Sequence, residues 1–187
     1  MSYLVEFNDP GLLLLPYHRL VRGLDSATLL RLSQRIDQFF SSVALNIQEP
    51  SPEEIWSSLE ADNTDTQTMA LVQHPNRGSK LLTFRAETVP DKEDGVSPLG
   101  ASLLEEKVLK PALGGSVDHH VTWVHDAKDA VDRVMSQDCQ MAFLLKPLTM
   151  DLFEAIVSQG GRLPRKSTFF YPKLPTGLAI NSLQGDI

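Results

Sequence analysis

The residues with the clearest chemical potential lie near the end of the chain, in the segment GRLPRKSTFFYPKLPTG that runs from Gly161 to Gly177. No acidic residue occurs between Glu154 and Asp186, although the 187-residue chain has a net charge of -7 at pH 7. Ammonium groups, hydroxyls and backbone N–H groups that converge in such a segment can bind a phosphate or a carboxylate. The residues that we expect to bind this anion are Lys166, Ser167, Thr168 and Lys173.

The same segment also has a simpler interpretation. Its cations could be solvated, and its hydroxyls could bond to the backbone of an ordinary connecting loop. The glycine, lysine and hydroxyl spacing of a P-loop is absent from it. The pattern therefore favours an anion-binding site but does not specify a reaction.

A second group of candidate ligands consists of His18, Arg19 and Arg22, which follow the short apolar run Leu12 to Leu15. Side chains at the carboxyl end of a buried strand line the ligand crevice of open α/β sheets. Histidine can exchange a proton near neutral pH, and arginine pairs with phosphate or carboxylate. The alternative is that both arginines form ion pairs with the many acids and that His18 is structural.

The other reactive side chains do not form a recognisable site. His119 and His125 would lie about 20 Å apart if they shared one regular strand, which is too far for a common ion, so we expect no metal site. Cys139 is the single cysteine, and its neighbour Asp138 would raise the pKa of its thiol. A nucleophilic cysteine is therefore not expected.

Composition restricts the class of protein. Hydrophobic residues make up 42% and charged residues 22% of the chain, which is typical of a folded domain, and a chain of this length can bury roughly 70% of its unfolded surface. Met1 is followed by no basic region leading into an apolar run, and no early apolar run approaches the ~20 residues that span a bilayer. We therefore expect a cytoplasmic protein without membrane insertion, and the net negative charge makes nucleic acid an unfavourable partner.

Periodicity predicts five helices and several strands. Helices are indicated after Asp25 or Ser26, after the capping box of Ser51 and Glu54, over Leu103–Leu113 up to Gly114, after Asp126, and over Met150–Ser158 with Thr149 as cap. Strands are indicated at Gly11–Leu15, Val43–Ile47, Met69–Val72, Leu81–Phe84, Val121–Val124, Met141–Leu145 and Gly177–Asn181. The interleaving predicts one domain over residues 1–187, α/β or α+β, with a mixed sheet flanked by about five helices. The unit from Val121 to Leu145 could join two parallel neighbours by a right-handed crossover.

Three stretches resemble a known family: FNDPGLLLLPYHRLVRGL at the start, AFLLKP from Ala142 to Pro147, and LPRKSTFFYPKLPTGLAIN near the end. They are similar to the carboxyl-terminal half of the domain of unknown function 1015, a bacterial and archaeal family. Leu163 and Arg165 depart from the family pattern, whereas both lysines of the last stretch are kept. Members of that family carry an upstream half with an Asp-Gly-His-His-Arg motif, similar to that of ParB-like proteins that include a free-serine kinase. This chain has Asp118, His119 and His120 in a row, without the glycine or the arginine.

Three hypotheses of function follow. The leading one is a non-catalytic or incomplete (truncated) domain that offers an anion-binding surface to a phosphate-bearing small molecule. The second is a small phosphotransferase or hydrolase in which His18 is the general base and the lysines stabilise negative charge. The third is a protein-interaction module whose apolar face meets a partner chain that supplies the upstream half, or a second copy of itself. The run Leu12 to Leu15 with Tyr17 is the surface that we expect to associate in this case.

Overall fold

Antiparallel pairing of strands organises the molecule. The computed structural model describes residues 4–7, 9–45, 47, 51–61, 67–89, 99–115, 117–163, 165–175 and 177. Its strands are β1 Leu13–Leu15, β2 His18–Val21, β3 Phe40–Leu45, β4 Thr68–Gln73, β5 Ser79–Phe84, β6 Val121–Val124, β7 Met141–Leu145 and β8 Phe169–Tyr171. Six of them form one sheet in the order β3-β5-β4-β7-β2-β6, and β1 pairs with β8 in a separate two-stranded ribbon.

Four of the six helices described below begin where the sequence supplies a side-chain cap. Helix α1 is Ser26–Phe39 and α2 is Pro52–Ala61. Helix α3 is α-helical over Gly100–Leu103, π-helical over Leu104–Leu109 and α-helical again over Lys110–Leu113. Then follow α4 Val117–His120, α5 Ala127–Met135 and α6 Met150–Ser158. Asp25, Ser51, Asp126 and Thr149 each accept a backbone N–H at the start of a helix, as predicted.

Each face of the six-stranded sheet carries its own apolar core. Helices α1 and α3 cover one face, where Leu32, Leu104 and Phe143 are almost fully buried. Helices α2 and α5 cover the other face through Ile55 and Val131. A large aliphatic or aromatic side chain buried in this way contributes about 1.5–3 kcal/mol. The sheet is therefore a central layer between two helical layers, and its edges and ends are what remain open for a site.

The β1–β8 ribbon is a smaller and more exposed unit. Leu14 lies opposite Phe170, and the ring of Phe170 contacts Phe153 of α6 at 5.3 Å between centroids. No residue of α6 is fully buried, although the helix is mostly apolar. The expectation that a buried strand ends at Leu15 is therefore wrong, because Leu13 is 49% exposed and the strand pairs with β8 alone.

The fold class is α+β, one of the two alternatives that the sequence predicted. The expectation of a mixed sheet is corrected, since every pairing between the described strands is antiparallel. Strands β6 and β7 run parallel to each other, but β2 lies between them and pairs with both. The sequence did not predict β2, the strand that separates β6 from β7. Two of its four residues HRLV are polar, although all four are buried. Of the strand predicted at Gly177–Asn181, only Gly177 lies within the described residues.

Candidate functional site

The candidate site lies at one end of the six-stranded sheet. The first residue of β2, His18, is opposite Val124, the last residue of β6, and Leu145 at the end of β7 donates its N–H to the same histidine. The beginning of β2 and the ends of β6 and β7 therefore meet here. The basic segment after α6 crosses this end of the sheet, where the carbonyl of Lys166 accepts a hydrogen bond from Arg19.

Arg19 is the most unusual residue of the site. It is only 1% exposed, and it lies between Phe143 and Trp123 in the register of the sheet. One terminal nitrogen donates to the carbonyl of Tyr17, the other donates to the carbonyl of Lys166 at 3.2 Å, and Nε has no hydrogen-bond partner among the described residues. Burial lowers the pKa of Arg19 to about 10, with the carboxylate of Glu105 acting in the opposite direction. Arg19 is thus a buried cation that is satisfied in part by backbone carbonyls.

His18 faces the other side of the sheet from Arg19, because successive residues of a strand alternate between faces. Its ring packs at 6.2 Å from Trp56 of α2, and its Nδ1 accepts the N–H of Leu145 at 3.2 Å. Burial and the adjacent Arg19 lower the pKa of His18 to about 4, although Asp126 opposes them. A neutral, buried and hydrogen-bonded histidine fits a structural role. The sequence left both this role and a ligand-binding role open for His18.

The two lysines of the basic segment flank an aromatic pair. Lys166 Nζ lies 4.8 Å from the centroid of the Tyr17 ring, and Lys173 Nζ lies 4.8 Å from the centroid of Phe169. The rings of Tyr17 and Phe169 meet edge to face at 5.7 Å. Both lysines are exposed, so each ammonium can contact a ligand while its stem rests on a ring. The structure thus brings Lys166 and Lys173 to the same pair of rings, beside Arg19.

A small cavity lies next to Arg19. The centres of water-sized groups can occupy about 30 Å³ of it, and it is lined by Tyr17, Arg19, Gly100, Ala101, Lys146 and Ser167 among others. We call it the Arg19 cavity. Ser167 thus lies at this cavity, whereas Thr168 is half-buried just before β8. Two contributors were missed by sequence reasoning: Lys146, which directly follows the central strand β7, and the start of α3.

Two cations of the region lie outside this arrangement. Arg22 follows the far end of β2, where its N–H bonds to the carbonyl of His120 at 2.9 Å. At the usual rise of a strand it is about 10 Å from Arg19, so the structure does not bring it to the Arg19 cavity. Arg165 forms an ion pair with Asp118 and lies 5.3 Å from the centroid of the Trp123 ring.

The described residues also bear on metal binding, membrane insertion and the reactivity of the cysteine. Among them, no group of three histidine, cysteine or carboxylate side chains is placed to hold a metal ion. Helices long and apolar enough to cross a membrane are likewise absent from the described part of the chain. Cys139 is buried, and burial raises the pKa of its thiol.

Comparison with solved structures shows the same fold in longer proteins. A conserved hypothetical protein from Pyrococcus furiosus matches with a TM-score of 0.55 and 15% identity, over 93% of this chain and 62% of that chain. A free serine kinase in complex with AMP matches with a TM-score of 0.54 and 15% identity, over 90% of this chain and 58% of that chain. A mutant of the kinase in complex with ADP gives a TM-score of 0.52. The chain thus spans about three fifths of the length of these proteins.

A search of curated proteins gave no match. The model of one protein family does match, over residues 1–103, which is more than half of the chain and includes β2 with Arg19 and the start of α3. The chain belongs to that family, described as "Protein of unknown function (DUF1015)".

Proposed function

We propose that this chain is an anion-binding domain that holds a phosphate-bearing small molecule at the Arg19 cavity and the adjoining lysines. In this proposal it corresponds to the carboxyl-terminal half of a longer, ParB-like family architecture and carries no complete catalytic site of its own. The lengths of the solved structures support only the part of this reading that concerns a longer architecture, because the chain accounts for 58–62% of each.

The observation that carries the proposal is the state of Arg19. Within the described residues its guanidinium bonds only to backbone carbonyls, and Glu105, the acid that raises its pKa, lies 3.7 Å from Lys110. A buried charge that lacks a full ionic partner is costly, and an anion that reaches it would recover part of that cost. Lys146, Lys166 and Lys173 add positive charge around the same cavity.

A phosphotransfer reaction is the second candidate, favoured by the likeness to free serine kinases whose complexes hold AMP or ADP. At 15% identity that likeness concerns the fold. The general base that the sequence suggested, His18, lies on the face away from Arg19 with a pKa of about 4. A base with so low a pKa would be weak at neutral pH, so the binding function is better supported than catalysis by His18.

Thermal unfolding with and without ligand tests the binding function. Inorganic phosphate, AMP and O-phosphoserine are each titrated while the melting temperature Tm is recorded, since a ligand that binds the folded state alone raises it. We expect at least one of them to raise the Tm of the wild type, and Lys166→Ala and Lys173→Ala to reduce the shift. Arg22→Ala is the matched control, because it removes an exposed cation at the other end of β2. Equal shifts in all four proteins, or none in the wild type, would overturn the proposal.

The interaction module remains a third candidate because of where the exposed apolar side chains lie. Apart from Leu30 and Val43, the exposed large hydrophobic residues of the described chain are on the ribbon, on α6 or in the segments beside them: Leu4, Val5, Phe7, Leu13, Val157, Tyr171 and Leu174. Exposed apolar side chains on neighbouring elements favour a docking face in this part of the molecule. For the isolated chain we propose a second copy as the occupant, with self-association as the consequence.

A further inference from the structure

The start of helix α3 is a second, independent source of positive potential at the Arg19 cavity. Gly100 and Ala101, the first two residues of α3, line the cavity, and Leu99 before them provides no side-chain hydrogen bond to the helix. The first N–H groups of a helix have no intrahelical acceptor, and the helix dipole places about half a positive charge there.

Helix α3 is long enough for this effect, because it does not end at Leu103. The residues at its internal junctions, Leu103, Leu104, Leu109 and Lys110, all have right-handed helical dihedral angles. The helix therefore continues for 14 residues from Gly100 to Leu113, where Gly114 at φ +64° ends it. Its peptide dipoles point their positive end at the cavity.

Donors around the Arg19 cavity come from three directions. Arg19 lines it from the sheet with a guanidinium whose Nε has no hydrogen-bond partner among the described residues, Gly100 and Ala101 line it at the start of α3, and Lys146 lines it after the end of β7. A planar carboxylate is satisfied by donors in one plane, as in a bidentate arginine pair. A tetrahedral oxyanion presents oxygens in several directions and so suits donors that converge in three dimensions. The absence of a side chain at Gly100 lets such a group approach the backbone closely.

We infer that the Arg19 cavity is a phosphomonoester subsite, in which the terminal phosphate of a small molecule sits between the start of α3 and the Arg19 guanidinium. This inference rests on the proposed anion-binding function and adds the position and chemical class of the anion. Lys166 and Lys173, outside the cavity, then contact the remainder of the ligand. No covalent step is involved.

A carboxylate placed at the start of α3 tests the position. Ala101→Asp puts a negative charge at the second residue of the helix, next to the cavity, where it should act as a built-in ligand and compete with phosphate. Ala27→Asp is the matched control, since Ala27 is also the second residue of a helix, α1. Ala101→Asn adds nearly the same volume without charge, and it separates competition from crowding.

The assay measures the affinity of methyl phosphate by its effect on Tm, with acetate and dimethyl phosphate as the planar and diester probes. We expect methyl phosphate to raise the wild-type Tm more than either probe, Ala101→Asp to weaken its binding about tenfold or more, and Ala27→Asp to leave it unchanged. Ala101→Asp should itself melt no lower than Ala101→Asn, which shows that it folds.

The outcomes separate this inference from the proposed function. If methyl phosphate stabilises the wild type and Lys166→Ala reduces the effect, but Ala101→Asp binds like Ala27→Asp, the subsite is wrong and the anion-binding function stands. Equal stabilisation by acetate and methyl phosphate would overturn the phosphomonoester assignment. Loss of binding in Ala101→Asn to the same extent as in Ala101→Asp would overturn the competition at the helix start.

Discussion

Single residues of β2 show how one strand supplies two unlike environments. His18 and Arg19 are adjacent, both are 1% exposed, and they face opposite sides of the sheet. The histidine has lost its charge, since burial lowers its pKa to about 4, whereas the arginine keeps its charge at a pKa of about 10. The sequence could nominate both residues by their chemical type, but it could not tell which would meet the basic segment. That choice depends on the register of β2, which is set by distant strands.

The lowered pKa of His18 predicts a loss of stability in mild acid. The unfolded chain binds a proton at this histidine near pH 6.5 and the folded chain only near pH 4, so the free energy of unfolding falls as the pH drops between these values. We expect the drop from pH 7 to pH 4.5 to be roughly 2 kcal/mol smaller in His18→Gln than in the wild type. Urea unfolding at the two pH values measures it.

His119→Gln is the control for this experiment, because His119 is exposed on α4. It should lose as much stability as the wild type over the same pH range. A wild-type loss that His18→Gln reproduces in full would show that His18 is not the group responsible.

At the scale of elements, local signals were predictable and pairings were not. The caps at Asp25, Asp126 and Thr149, and the end of α3 at Gly114, depend on neighbours within four residues, so the sequence predicts them correctly. The hairpin of β4 and β5 is also local, and its predicted strands do pair. Strand β2 was missed because its burial depends on β6 and β7, which lie 100 or more residues away.

The revised roles of β1 and β2 predict unequal costs for the same substitution. Leu20 is fully buried in β2, whereas Leu13 of β1 is 49% exposed. Leu20→Ala should therefore destabilise the protein by about 2–5 kcal/mol, and Leu13→Ala by less than about 1 kcal/mol. Chemical denaturation of the two variants measures the difference. Similar costs at both positions would contradict the assignment of β2 as the buried strand.

The candidate site was likewise predictable only in part. The sequence indicated Lys166, Ser167, Lys173 and Arg19, because a local excess of cations in an acidic chain is visible without a structure. It did not indicate Lys146 or the start of α3, since Gly100 and Ala101 carry no chemical signal of their own. Arg22 was nominated by its proximity in sequence and then separated from Arg19 by the length of β2. Sequence reasoning thus missed the parts of the candidate site that come from the backbone or from where a residue lies in the fold.

At the scale of the whole molecule, the polar and apolar surfaces of the basic segment are adjacent. Lys166 and Lys173 lie beside the β1–β8 ribbon, and the ribbon itself exposes Leu13 and Tyr171. A ribbon of two strands is marginal by itself and gains stability from packing, here against α6. Because that packing leaves apolar side chains exposed, this part of the molecule is where association with another chain is expected.

Association through this apolar surface has a characteristic response to salt. Burial of apolar surface is strengthened by excluded salts such as sulfate, whereas contacts made by the lysines weaken as ionic strength rises. Sedimentation velocity at tens of micromolar protein, in low and in high salt, should therefore show an oligomer under both conditions. Leu13→Glu should shift the distribution towards monomer. A wild-type chain that is monomeric under both conditions would contradict self-association, and an oligomer lost at high salt would assign it to the charged segment.

The central claim is that the buried cation Arg19 binds an anion. It can be tested at a single atom, Nε of Arg19. The Nε–H group of Arg19 has no hydrogen-bond partner among the described residues, so a bound phosphate should change its environment more than that of any exposed arginine. In a ¹H–¹⁵N spectrum of the arginine side chains, with the signal assigned by its loss in Arg19→Lys, we predict a saturable shift of the Arg19 Nε–H resonance as phosphate is added. Sodium chloride at matched ionic strength should leave it in place. An Arg19 resonance that does not move with phosphate, methyl phosphate or AMP would contradict the account.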